Sequence, residues 1–248
     1  MSLPIGKLQR DRRWPFLIRP LLAILRREGG PRVSHVTGLY LIAGLCGLVD
    51  AACFPSLGQV FAEMMTGNLL LFCFLIGLGQ SVLQHSIYLV ALAAFALGAV
   101  TGGRIMRSAR GHTRLGFVIE WMFLAAATIF TLVLPIGSSE VARGAIICLL
   151  AAAMGLQNAL LRRHGVPDLA TNVMTLTLTA LVADSAISGG KNERWLRRFS
   201  SVGIFMASAA GGAALTRLIG PWPPLLLALI FFTVALTGLT RQDPAPRS

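Results

Sequence analysis

Gly47-Leu-Val-Asp50-Ala-Ala-Cys53-Phe-Pro55-Ser-Leu-Gly58-Gln-Val-Phe61-Ala-Glu63-Met-Met-Thr66-Gly67-Asn68 decides how the chain is read. An apolar run leads into this stretch and another leaves it. Between them sit a carboxylate at Asp50, a Pro55–Gly58 break, Glu63 and the tetrad Met65-Thr66-Gly67-Asn68. An intramembrane carboxylate costs a few kcal/mol unless it finds a partner or water, so such a residue is a functional candidate by default. A weaker echo runs from Gly155 to Thr177, with Asn158 in the place of Asp50 and Met174-Thr175-Leu176-Thr177 in the place of the tetrad.

Composition sets the class. Of 248 residues 55% are hydrophobic and 13% charged, with a mean hydropathy of +0.71, whereas soluble chains carry about 25% charged residues. So few charges cannot cover a soluble domain of this size, and two smaller domains would expose proportionally more surface. The apolar residues fall in blocks at 36–54, 64–80, 87–103, 115–136, 141–161, 169–188, 201–219 and 222–240. Blocks of this length exceed the roughly 9–11 residues of an outer-membrane strand. The expectation is an all-α polytopic transmembrane helix bundle of eight helices. Seven is the alternative, because the second block is short and Pro221 barely separates the last two.

The net charge of +12 would suggest nucleic acid in a soluble chain. Here the arginines lie between apolar blocks and at the termini, where they read as topology signals and anionic-lipid contacts. Nucleic acid is rejected as a partner, and membrane lipids are expected. With eight crossings and a cytoplasmic amino terminus, 15 of the 22 Lys and Arg fall inside and 7 outside. The cluster Arg104, Arg107, Arg110 and Arg114 is the objection to that count. An overcounted crossing would remove the objection and invert the repeat described next. The expected location is the bacterial inner membrane.

Residues 1–34 form a basic segment, interfacial or disordered, whose apolar part is broken by Pro15, Arg19 and Pro20 and is too short to span. It carries no signal-peptide cleavage pattern. Residues 35–240 form the transmembrane domain, and 241–248 a polar tail. Two related halves, about 35–137 and 138–240, are suggested by three landmarks in order: Gly47-Leu48-x-Asp50-Ala51 with Gly155-Leu156-x-Asn158-Ala159, Met65-Thr66 with Met174-Thr175, and Gly98 and Arg104 with Gly211 and Arg217. Repeats of this kind are a transporter signature.

At these residues the chain resembles the YoaK family of bacterial inner-membrane proteins, which carry a domain of unknown function. The resemblance rests on G-x-x-D-A around Asp50, F-x-x-x-M-T-G-N from Phe61 to Asn68, and G-x-Q-N-A from Gly155 to Ala159. It covers about 38–237. Where the family shows Thr-Gly in its second tetrad, Leu176 follows Thr175 here. The resemblance implies a membrane fold and no established activity.

Gly44, Gly47, Asp50 and Ala51 share one helical face, where small residues let a neighbouring helix approach. Asp50 then reads either as an ion or proton site or as an interhelical anchor and cap. Thr66, Gly67 and Asn68 open the second span, either presenting hydrogen-bonding groups to a substrate or packing helices. Asn158 is the uncharged counterpart of Asp50. Thr171, Thr175 and Thr179 form a stripe beside Asn172; a pathway lining and bonding within their own helix are the two readings. Glu120 is deep enough to need a partner, Asp184 sits near Lys191 and Arg194 at an interface, and Glu63 is expected to be wet. Asp168 suits a helix cap. Cys46, Cys53, Cys73 and Cys148 read as small hydrophobes, with no metal or disulfide pattern. No cofactor is indicated. Enzyme signatures such as H-E-x-x-H, G-x-S-x-G and the P-loop do not occur, so no catalytic role is expected. Two functions remain: a transporter of a small solute or ion, with Asp50, Thr66, Asn68 and Asn158 lining a site between the halves, or a non-transporting module that binds a lipid or protein partner.

Overall fold

The computed structural model describes residues 35–108, 113–162, 174–192 and 194–239. The basic segment 1–34, the tail 241–248, and Arg110, Asp168, Thr171 and Asn172 lie outside the described residues.

Eight α-helices account for the apolar blocks: α1 His35–Ser56, α2 Met65–Gly77, α3 Ser86–Arg107, α4 Thr113–Val133, α5 Glu140–Leu161, α6 Met174–Ala183, α7 Trp195–Leu218 and α8 Trp222–Leu239. A single 3₁₀ turn, Ala186–Ser188, follows α6. No strand occurs among the described residues. The described residues thus form an all-α bundle with eight helices rather than seven. Gly220, at φ +125°, makes the turn that separates α7 from α8, and Pro223 and Pro224 sit in the first turn of α8, where their missing N–H groups cost nothing.

Eight helices are not eight crossings. Helices α1, α3, α4, α5 and α7 run 21–24 residues and are long and apolar enough to span. With 13 and 10 residues, α2 and α6 rise only about 20 and 15 Å at 1.5 Å per residue. The hydrocarbon core is about 30 Å thick. Geometry at the ends of the bundle makes the same point. Gly58, just past α1, lies beside Ile87 at the start of α3. A cavity of about 540 Å³ is lined by Gly58, Ser86 and Ile87 together with Glu140 and Arg143 at the start of α5. The end of α1 and the starts of α3 and α5 therefore share one end of the bundle, and α2 leaves and returns to that end.

Helix directions follow from the close contacts. Along α1 and α7, Gly44 meets Ser208, Gly47 meets Phe205 and Ala209, Leu48 and Ala51 meet Gly212, and the Thr216 hydroxyl donates to the Ala51 carbonyl at 3.1 Å. Both indices rise together, so α1 and α7 are parallel. Along α3 and α5, Gly98 meets Ala152, Gly155 meets Phe95 and Ala99, and Gly102 meets Leu156 and Ala159. These two are also parallel. Since α5 starts where α1 ends, the two pairs run in opposite directions. Helix α8 covers α1, and α4 covers α5. Glycine makes each pairing possible: a Cβ on Gly47 would sit 2.6 Å from the Phe205 carbonyl oxygen, and one on Gly155 would collide with the carbonyl oxygen of Phe95. Helix backbones come this close only where side chains are absent.

Candidate functional site

The Asp50 stretch folds into one hydrogen-bonded unit. Asp50 lies near the end of α1 and is 6% exposed. Its Oδ1 accepts from the N–H of Ala62 at 2.8 Å and from that of Glu63 at 2.9 Å. Those two N–H groups precede α2, so the carboxylate holds the chain where a short helix begins. Asp50 is six residues before the end of α1, and at 1.5 Å per residue the returning chain has dipped about 9 Å back into the bundle. Irregular backbone at that depth is tolerated only where its polar groups are satisfied internally. Asp50 satisfies two of them.

Asn68 satisfies two more, from the other side. Its Oδ1 accepts from Phe61 N–H at 2.9 Å, and its Nδ2 donates to the Phe61 carbonyl at 2.7 Å. The Phe61 ring stacks on Phe54 of α1, with centroids 4.7 Å apart. Gly67 is needed because a Cβ there would lie 3.1 Å from the Phe61 ring. The spacing from G-x-x-D-A to M-T-G-N is therefore that of a carboxylate and an amide gripping the same eight-residue break. Glu63, expected to be wet, is buried at 8% exposure, because the grip on its own N–H draws it inside. Thr66 is exposed on the outer side of α2. Among the described residues Asp50 Oδ2 has no hydrogen-bond partner although it is buried.

The second half is only partly parallel. Asn158 is buried near the end of α5, and the residues it would grip by analogy fall in 163–173, outside the described residues. Thr175 is exposed and accepts the Thr179 hydroxyl on its carbonyl at 2.8 Å, which is the intrahelical bonding weighed against a pathway lining. The buried member of that helix is Thr177. It is the fourth residue of α6, as Asn68 is of α2, and each is the one buried residue of its helix. That shared place in the tetrad was the signal for it. Asp50 and Asn158 do not meet: α1 and α5 cross where the Cys46 thiol faces Gln157 Oε1 at 4.0 Å. The two residues lie beyond that crossing toward opposite ends of the bundle.

Glu120 is fully buried in α4. Asp184 follows α6 and pairs with Arg198 of α7, at 2.6 Å. Arg198 also donates to the Ala180 carbonyl at 2.9 Å. That pair ties α6 to α7 at the rim. Gln157 is a polar core residue that sequence reasoning passed over, although it stands beside Asn158 in G-x-Q-N-A. Metal-ligand clusters of three or more His, Cys, Asp or Glu do not occur among the described residues.

A helical bundle with lipid-length apolar helices and a polar break gripped from within is a multi-pass membrane protein. Residues 38–237 match the family described as Protein of unknown function (DUF1275), and the chain belongs to it. It is also similar to the UPF0700 transmembrane protein YoaK of Bacillus subtilis (strain 168), with 30% identity over 156 residues, covering 62% of this chain and 67% of that protein. No solved structure matches.

Proposed function

We propose that the protein transports a small solute or ion across the bacterial inner membrane, through a bundle of two inverted halves, α1–α4 and α5–α8. In this reading α1, α3, α4, α5, α7 and α8 cross, and α2 and α6 are half-helices entering from opposite faces. Support comes first from the packing. Replacing each helix by the one four places away turns the α1–α7 pair into α5–α3, and α1–α8 into α5–α4, all of which are packed pairs. The glycines follow: Gly47 on Phe205 and Ala209 corresponds to Gly155 on Phe95 and Ala99, and Gly212 on Leu48 and Ala51 corresponds to Gly102 on Leu156 and Ala159. The third landmark of the sequence shifts accordingly. Gly211 touches nothing within 4 Å while Gly98 abuts Ala152, so Gly102 and Gly212 are the equivalent pair.

Charge supports the same topology. With six crossings and a cytoplasmic amino terminus, 20 of the 22 Lys and Arg lie in cytoplasmic segments, leaving Arg143 and Arg217 outside. The cluster from Arg104 to Arg114 then falls inside, as the positive-inside rule requires.

One observation carries the transport reading: α2 begins inside the bundle, on a carboxylate that keeps one buried oxygen unpartnered. Half-helices that start at depth, in inverted repeats, are where transporters build their sites. The test is uptake of a panel of small metabolites and ions into vesicles carrying the protein. At least one solute should accumulate above empty vesicles, and Asp50→Asn should lower that uptake at least tenfold while inserting normally. Unchanged uptake would remove Asp50 from the mechanism. The second reading, a non-transporting module that binds a lipid or protein partner, is favoured by the two backbone bonds of Asp50 Oδ1, which are those of an anchor. It predicts a loss of thermal stability and no flux for any solute.

A further inference from the structure

Where α1, α4, α5 and α8 converge, the bundle buries a second carboxyl group that the break does not use. Glu120 is 0% exposed, and neither of its oxygens has a hydrogen-bond partner among the described residues. One turn before it, Gly116 packs against Leu160 of α5. The two helices run in opposite directions there, so Glu120 falls level with Gln157, three residues before Leu160. Gln157 Nε2 is likewise buried without a partner. The same turn of α4 is sealed by α8: Phe117 meets Phe232 edge-on at 6.1 Å, and Trp121 Nε1 donates to Thr233 Oγ1 at 3.1 Å.

An ionised carboxylate in such a place is costly unless a positive group neutralises it. Among the described residues the neighbouring elements supply none at that level. Helix α8 carries no titratable side chain. Helix α5 carries Glu140, Arg143 and Cys148 in its first three turns, and α3 carries Tyr88 at its start and Arg104 and Arg107 at its end. Helix α1, beyond Gln157, contributes Tyr40, Cys46, Asp50 and Cys53. Arg114 of α4 itself is exposed. A dehydrated metal cation would need a shell of oxygen ligands. Among the described residues the polar side-chain oxygens at that level are those of the Gln157 amide and the Thr233 hydroxyl, which already accepts from Trp121, too few for such a shell.

We infer that Glu120, with Gln157 level with it on α5, is a proton-binding site at the core of the bundle, exchanging its proton with water as the two halves move. In the loaded form the side chain is a neutral carboxyl; on unloading, the O–H bond breaks and the proton passes to water. The inference rests on the transport reading for its use and names the coupling ion, but its chemistry can be tested without any substrate.

Dicyclohexylcarbodiimide, an apolar reagent, distinguishes the cases. A buried carboxyl adds across one C=N bond, its oxygen to carbon and its proton to nitrogen, and acyl transfer to nitrogen leaves a stable N-acylurea with no leaving group. Membranes carrying the full chain should give one adduct mapping to the Glu120 peptide, undiminished by sodium and absent from Glu120→Gln. In parallel, the carboxyl stretch in the infrared spectrum that is missing from Glu120→Gln should shift when native protein is moved into D₂O. Protection by sodium would overturn the proton assignment in favour of a metal cation. Absence of an adduct at Glu120, or a carboxyl band that shifts only on unfolding, would make Glu120 a static core residue. If Glu120→Gln fails to insert, peptide mapping of the wild-type adduct decides alone. Failure here leaves solute uptake untouched, and failure of uptake leaves the adduct, so the two readings fall separately.

Discussion

The two short helices of this protein each bury the fourth residue of a tetrad, and the ties described around them differ in chemistry. Before α2, a carboxylate and an amide grip the break: Asp50 takes two N–H groups and Asn68 brackets Phe61. At α6, the matching positions hold Asn158 and Thr177, and the visible tie is at the far end, where Asp184 meets Arg198. A carboxylate accepting backbone bonds is stronger than a neutral acceptor. The first break is thus anchored at depth, while among the described residues α6 is tied to α7 by an ion pair at the rim, with Asp184 54% exposed.

The comparison breaks or holds first on topology, where the expected effect is all or none. Ser81, between α2 and α3, and Ser108, after α3, are both exposed. In intact cells a membrane-impermeant maleimide should label Ser81→Cys and should reach Ser108→Cys only after the membrane is opened. The opposite pattern would restore eight crossings and end the inverted pairing.

Next in size come the glycines that let the halves interlock. Gly155→Ala drives a methyl group into the Phe95 carbonyl, and Gly47→Ala places one 2.6 Å from that of Phe205. Overpacking of this kind costs about 1–3 kcal/mol, occasionally more. Thermal unfolding in detergent should fall for both, more for Gly155→Ala, and stay unchanged for Gly211→Ala, which meets nothing within 4 Å. Equal losses at Gly211 and Gly155 would sink the register assigned to the halves.

The smallest expected effect is a difference, the gap in melting between Asp50→Ala and Asn158→Ala, which sharpens the contrast between the breaks. Asp50→Ala strands two buried N–H groups, each worth about 1–3 kcal/mol. Asp50→Asn keeps the one oxygen that accepts both bonds, now uncharged, and should lose less. Asn158→Ala should cost less than Asp50→Ala in the same melts. If the two alanine variants melt together, the second break is gripped as firmly as the first.

Much of this was legible beforehand. Sparse charge and long apolar blocks announced a helical membrane bundle. G-x-x-D-A and M-T-G-N marked the break. Thr66 and Thr175 are exposed, because a tetrad names residue types without saying which faces inward; the helix phase buries Asn68 and Thr177. Glu63 looked exposed because a charged residue in a loop ordinarily is, and the bond of its backbone N–H to Asp50 draws it in.

What the sequence determined by itself is the solvent: a chain this apolar has to surround itself with lipid. What only the tertiary structure decided is where the short helix α2 starts and to which end of the bundle it returns. Hydropathy counts apolar residues and is blind to where a helix starts, whereas the Asp50 carboxylate fixes the chain inside the bundle just before α2, whose 13 residues rise only about 20 Å.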